Sequence, residues 1–195
     1  MLLAALPLHA QRGELVLQQN LADLAGEAAT IVRGRVVSLE SEPHPQFPNL
    51  PTIVVTLNVL EVLKGEAREQ FTFREYVPDL RDQYTRLGYK LGQEVLLLMI
   101  QPSQYGLSSP AGSEQGRFHI LRDARGNRLA VNGFNNLGLF RNLDRSAPNL
   151  GRYLSSQVRA LLAQHRGGPI PHEQLVDIIR GLITARRELN PGGQP

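Results

Sequence analysis

Five histidines, His9, His44, His119, His165 and His172, are the first residues to test for chemistry, since imidazole serves both as metal ligand and as acid or base near neutrality. No two stand four apart as a helical His-Glu-x-x-His zinc site requires, so a metalloprotease of that kind is excluded. His119 alternates with Phe118 and Ile120 and is expected to point out of a hairpin toward solvent. His172-Glu173 reads as the first turn of a helix, where an acidic residue meets the positive end of the helix dipole. Gly106-Leu-Ser-Ser-Pro110 has the outline of a nucleophile elbow, but it lacks the closing glycine and the following helix, so it is expected to be a loop. Glu75, Asp79 and Asp82 lack the alternating ligands and central glycine of a calcium loop and are read as a solvated loop edge. Asn132, Asn135 and Asn136 with Gly133 and Gly138 are turn chemistry, because Asn and Gly tolerate left-handed backbone. No catalytic residue, cofactor or metal site emerges, and the chain is read as a non-enzyme. One candidate binding face remains: Arg33, Arg35, Arg74, Arg117 and Arg128 all lie in or beside expected strands.

The elements that must carry these residues follow from composition and pattern. The 195 residues, 42% hydrophobic and 20% charged, match an ordinary globular protein with one core and an appendage. Cysteine is absent, so disulfides, thiolate catalysis and cysteine-ligated zinc are excluded. The net charge of +3 is small and spread along the chain without a basic run. Residues 1–10, Met-Leu-Leu-Ala-Ala-Leu-Pro-Leu-His-Ala, resemble the apolar and cleavage regions of a signal peptide without its basic leader, so an exported protein, periplasmic or extracellular, is expected. No segment approaches the roughly 20 apolar residues of a membrane-spanning helix.

A helix is expected over Leu15 to Ala28, then a strand over Ala29 to Leu39 whose Gly34 allows a bend or a close backbone approach. Pro43, Pro45, Pro48 and Pro51 cannot donate to a ladder, so the chain is expected to leave the sheet from Ser41 to Pro51. A strand follows over Thr52 to Lys64, where Ile53, Val55, Leu57 and Val59 share one face before Leu60 and Val62 shift phase, the mark of a bulge or of a strand long enough to serve two faces of a closed barrel. Gln70 to Val77 reads as a further strand. Val95 to Ile100 is an unbroken apolar run, expected to be covered on both sides. A Gly, Ser and Pro-rich loop from Pro102 to Gly116 leads to a hairpin that turns at Asp123 to Asn127. After Phe140 the period becomes helical: Leu150 to Leu162 supplies one helix, and Leu175, Ile178, Ile179, Leu182 and Ile183 form the stripe of a last one. That stripe is expected to cover the barrel within the same chain rather than to seek another subunit.

Four stretches, Ile31-Val-Arg-Gly-Arg-Val36, Val59-Leu-Glu-Val-Leu-Lys-Gly65, Leu91-Gly-Gln-Glu-Val-Leu-Leu-Leu98 and Gln115-Gly-Arg-Phe-His-Ile120, occur in an order that resembles the OB-like, netrin-like β-barrel domains of uncharacterised bacterial exported proteins. The animal tissue inhibitors of metalloproteinases share that barrel. The resemblance covers roughly residues 21–140 and implies a binding module rather than an enzyme. The inhibitors chelate a protease zinc through an N-terminal cysteine, which this chain lacks, so that chemistry does not carry over. The expected architecture is mainly β with α (α+β): a small OB-like barrel over 14–140 with a leading helix, a C-terminal helical tail with a pair of helices over 146–190, and disorder over 191–195. The expected function is a non-enzymatic exported interaction or accessory module with an unknown protein partner, with no cofactor. Single-stranded nucleic-acid binding on the arginine face is the alternative, weakened by an aromatic content of 6%.

Overall fold

A computed structural model of the chain describes residues 17–66, 69–79 and 85–189. The export-like segment 1–10, the tail 191–195 and Asp82 lie outside the described residues. Among the described residues the architecture is mixed: seven antiparallel strands in one sheet and four helices.

Helix α1 (Leu21–Glu27) begins later than the leucine spacing predicts, because Asn20 sets its start. The Asn20 side chain accepts from the N–H groups of Ala22 and Asp23, and the Asp23 carboxylate accepts from the Asn20 N–H, a reciprocal capping box. The strands follow as β1 (Thr30–His44), β2 (Phe47–Lys64), β3 (Gln70–Tyr76), β4 (Glu94–Met99), β5 (Arg117–Arg122), β6 (Arg128–Asn132) and β7 (Ile170–Pro171). Their order is β3-β2-β1-β4-β5-β6-β7, a ladder that runs open from β3 to β7. The barrel expected from the sequence is therefore not what the ladder itself forms.

The proline-rich stretch does not leave the sheet. β1 and β2 continue through it as a two-stranded arm that turns between His44 and Phe47 and sets Pro43 opposite Pro51. In an antiparallel ladder, pairs that exchange hydrogen bonds alternate with pairs that do not, and facing prolines occupy a position where no N–H is needed. Beyond Arg35 no residue of β1 pairs with β4, and before Thr52 no residue of β2 pairs with β3, so the arm stands clear of the other ladders. At the opposite end of the β1–β2 pair the predicted phase slip appears as register shifts, Val32 facing Val62 and Gly34 facing Val59. Gly34 is required there: a Cβ would sit 2.8 Å from the Asn58 carbonyl oxygen and 2.9 Å from Leu57 Cβ.

Both sides of the sheet are covered. Ile31, Leu96, Leu98 and Phe118 face a core closed by α1 and by α4 (His172–Leu189), whose Leu175, Ile178, Ile179 and Leu182 are buried. The amphipathic stripe is thus satisfied within the chain. Val32, Val36, Val95, Leu97 and Met99 face a second core with Val55, Leu57, Phe73 and Tyr89. The apolar run of β4 supplies both, as predicted. Helices α2 (Leu143–Ser146) and α3 (Ser156–Gln164) lie in the connection to β7. The helix expected from Leu150 begins at Ser156 because the Ser155 hydroxyl caps the Val158 N–H; Leu150 is buried from a preceding 3-10 turn instead.

Candidate functional site

The five arginines of the candidate face are not brought together. Arg33 lies beside α4, its Nε on Glu61 (3.1 Å) and its Nη1 on Glu94 (2.6 Å), while Glu61 also accepts from Arg180 of α4 (2.7 Å). Arg128 donates to Glu173 (2.5 Å). Arg74 sits at the root of the β1–β2 arm, donating to Glu42 (2.5 Å) and to the Thr52 hydroxyl (2.8 Å). Arg117 is buried on the opposite side of the sheet and is bound to Glu114. Of the five, Arg35 stands exposed. Four of the positive charges are thus matched by carboxylates, which lowers what they could offer a phosphate backbone.

The second core holds the titratable groups. Glu75 shares the inward row of β3 with Phe73 and Val77, and Tyr89 donates its hydroxyl proton to Glu75 Oε2 (3.1 Å). The Arg117 guanidinium lies 4.3 Å from the centre of the Tyr89 ring, a cation held against a π-face. Burial lifts the Glu75 carboxyl from its ordinary 4.5 to about 7, against the opposing pull of Arg117 and of the Tyr89 hydrogen bond. The same burial raises the Tyr89 hydroxyl well above the usual tyrosine range. His119 also belongs here. It turns inward rather than to solvent, because Phe118 and Ile120 take the helix-covered side and the other side is a core as well. Its Nδ1 lies 2.6 Å from Gln93 Nε2, and burial, reinforced by Arg117, lowers its pKa. This arrangement fastens the segment around Tyr89 to β3 and β5 through a carboxyl that titrates near neutrality.

The most outward-facing constellation is at the tip of the β1–β2 arm. His44, only 3% exposed, donates from Nε2 to the Tyr105 carbonyl (2.8 Å) and accepts at Nδ1 from the Gln46 N–H (3.2 Å), which fixes the orientation of the ring. Its ring stacks on Phe47, centroids 5.1 Å apart at 28°, and Phe47 meets Tyr105 edge-on at 5.2 Å and 83°. Phe47 and Tyr105 nevertheless remain 43% and 46% exposed. The Tyr105 loop is pinned in turn: the Ser103 hydroxyl accepts from the N–H groups of Tyr105 and Leu107, the Ser108 N–H donates to the Arg74 carbonyl (2.9 Å), and the Ser108 hydroxyl donates to the Ile100 carbonyl (2.8 Å). Ser108, the elbow candidate, is accordingly a structural loop residue.

The sequence held signals for neither constellation in isolation. His44 and Phe47 were hidden inside a stretch whose prolines read as loop, although a proline-flanked aromatic is itself a signal for a rigid, presented ring. Glu75, Tyr89 and Arg117 come from three separated segments, and nothing local predicts that they meet. No family model, no curated protein and no solved structure matches this chain.

Proposed function

We propose that the protein is a non-enzymatic interaction module that works outside the cytoplasm and engages a protein partner through the tip of its β1–β2 arm. The observation that carries this reading is the tip itself: two aromatic rings, half exposed, held in one geometry by a buried histidine and by main-chain hydrogen bonds. Pre-ordered aromatic anchors lose little entropy on association, which is why they dominate binding energy at interfaces. Export is supported by the apolar, small-residue pattern of residues 1–10. Among the described residues no helix is long and apolar enough to cross a membrane.

The fold reading that accompanies this proposal is an OB-like barrel completed by a non-strand segment. In support, Leu107 bridges Arg74 of β3 and Pro110 bridges Met99 of β4, so residues 107–110 span the gap between the two strands. Such a closure suits the netrin-like resemblance of the four strand stretches.

The test compares the full natural chain with Phe47→Ala and Tyr105→Ala variants in quantitative crosslinking on intact cells, with cell fractionation and determination of the mature N-terminus. The reading expects an exported product and one set of crosslinked proteins that is lost in both variants while their circular dichroism is unchanged. An identical crosslinked set in the variants sinks the tip as the contact. Turnover of ester, peptide or glycoside substrates that disappears with one side-chain change would make the protein an enzyme instead.

A further inference from the structure

The small positive excess is not spread evenly once residues are assigned to elements. The stretch from Arg141 to Leu189, which contains α2, α3 and α4, holds eight of the 21 basic residues, all arginine, and four of the 18 acidic ones. It therefore carries +4, more than the whole chain at +3. All eight arginines are exposed.

Next to this layer, the turn after β6 presents apolar side chains to water. Phe134 and Leu137 are 43% and 55% exposed and stand at the two ends of one β-turn, with the Leu137 N–H on the Phe134 carbonyl (3.0 Å). Single exposed apolar residues are ordinary. This pair differs in how firmly the backbone holds it. Asn135 and Asn136 both adopt left-handed backbone, φ 53° and 55°, a conformation disfavoured for most side chains with a Cβ and accepted most readily by Asn. The cost is met by a buried amide network: Asn136 Nδ2 donates to the carbonyls of Ala130 (3.0 Å) and Gly168 (2.9 Å), and its Oδ1 accepts from the Asn132 N–H (3.0 Å). Gly168 donates back to the Asn135 carbonyl (2.7 Å), which ties the turn to the loop that carries Arg166. Leu137 itself lies over Gly167, where a Cβ would come within 2.7 Å of its Cδ2. The apolar pair is thus rigidly mounted beside the exposed Arg141 and Arg166.

We propose that this turn and its flanking arginines form a docking face for an anionic lipid bilayer. Phe134 and Leu137 enter the headgroup boundary, and Arg141 and Arg166 engage the lipid phosphates. Apolar insertion and basic charge are the two signals whose combination gives stable peripheral attachment. A nucleic-acid strand is the poorer fit, because Leu137 offers no aromatic face on which a base stacks. The proposal does not depend on the tip-directed reading, since neither Phe134 nor Leu137 belongs to the β1–β2 arm.

The experiment is flotation of the full chain with phosphatidylcholine vesicles containing about a third phosphatidylglycerol, against phosphatidylcholine alone, at low salt and near 0.5 M salt. Binding is expected only to the anionic vesicles and is expected to fall steeply with salt. Arg141→Gln and Arg166→Gln each weaken it about fivefold. The double change Phe134→Ser with Leu137→Ser weakens it tenfold or more. Because the chain has no tryptophan, Phe134→Trp is a single reporter, and its emission should move to the blue on vesicle addition. Lack of flotation with anionic vesicles at low salt, equal binding to neutral ones, or an unmoved Trp emission overturns the proposal. So does binding of a single-stranded oligonucleotide under conditions where vesicles fail.

Discussion

The two sides of the sheet are held by different physics. On the helix-covered side, α1 and α4 press leucines and isoleucines onto Ile31, Leu96, Leu98 and Phe118, and the charged residues there, Arg33, Glu61 and Arg180, stay at the margin in matched pairs. On the other side, Glu75, Tyr89 and Arg117 meet beside a core of Val55, Leu57, Phe73 and Leu97. The first side is secured mainly by apolar area, which hardly depends on pH, whereas the second carries Glu75, whose carboxyl burial pushes up to about 7. The difference teaches that this sheet can be loosened from one side by a proton balance that leaves the other side's main packing intact.

The largest expected effect tests the apolar side. Ile179→Ala removes a fully buried side chain from α4 and should cost about 4 kcal/mol in urea unfolding, with little dependence of that loss on pH. Arg117→Met strips the cation from Tyr89, Glu114 and Glu75 and should cost about 3 kcal/mol at pH 7. A loss below about 0.5 kcal/mol would show the second core to be indifferent to that charge.

Glu75→Gln sharpens the contrast further. The folded-state carboxyl titrates near 7 and the unfolded one near 4.5, so between these values the folded protein binds the extra proton. The stability this contributes is fully present below 4.5 and is lost as the pH rises through 7. Glutamine keeps an acceptor for Tyr89 but cannot ionise. The variant should match the natural chain near pH 4.5 and exceed it by about 2 kcal/mol at pH 8. Equal stability at both pH values would mean that Glu75 is solvated.

The smallest effect belongs to His172 on the helix-covered side. Burial lowers its pKa, with Arg33 adding to the shift and Glu173 opposing it, and its Nε2 is buried without a hydrogen-bond partner. Stability linked to it is present above 6.5 and declines as acid carries the pH down through the folded-state value. A His172→Gln variant should therefore show a shallower loss of stability below pH 6.5, the opposite slope to that of Glu75.

Much of the helix-covered side was legible. The i, i+3, i+4 stripe of α4 and the unbroken run of β4 are one-dimensional patterns that burial reads directly. Gly34 and the phase slip near Leu60 were legible for the same reason, since a bulge leaves its mark on the alternation. The second core was not, because Glu75 and Arg117 obey strand alternation but break the rule that inward positions are apolar; what permits them is a meeting with Tyr89 that only the tertiary structure supplies. The arginine face failed as a pattern for a related reason. Period-two alternation assigns sides only after bulges and strand order are known, and it says nothing about which carboxylates will neutralise each guanidinium.

The facing prolines of the arm have one more consequence. A protruding two-stranded ribbon with aromatic rings at its end is a template for runaway strand addition, because each edge offers a row of unpaired N–H and C=O groups. Pro43, Pro48 and Pro51 interrupt the donors along that ribbon. The arm can therefore hold Phe47 out in water beside Tyr105 at high protein concentration without seeding fibrils, and replacing these prolines should cost little folding stability while shortening the lag before aggregation.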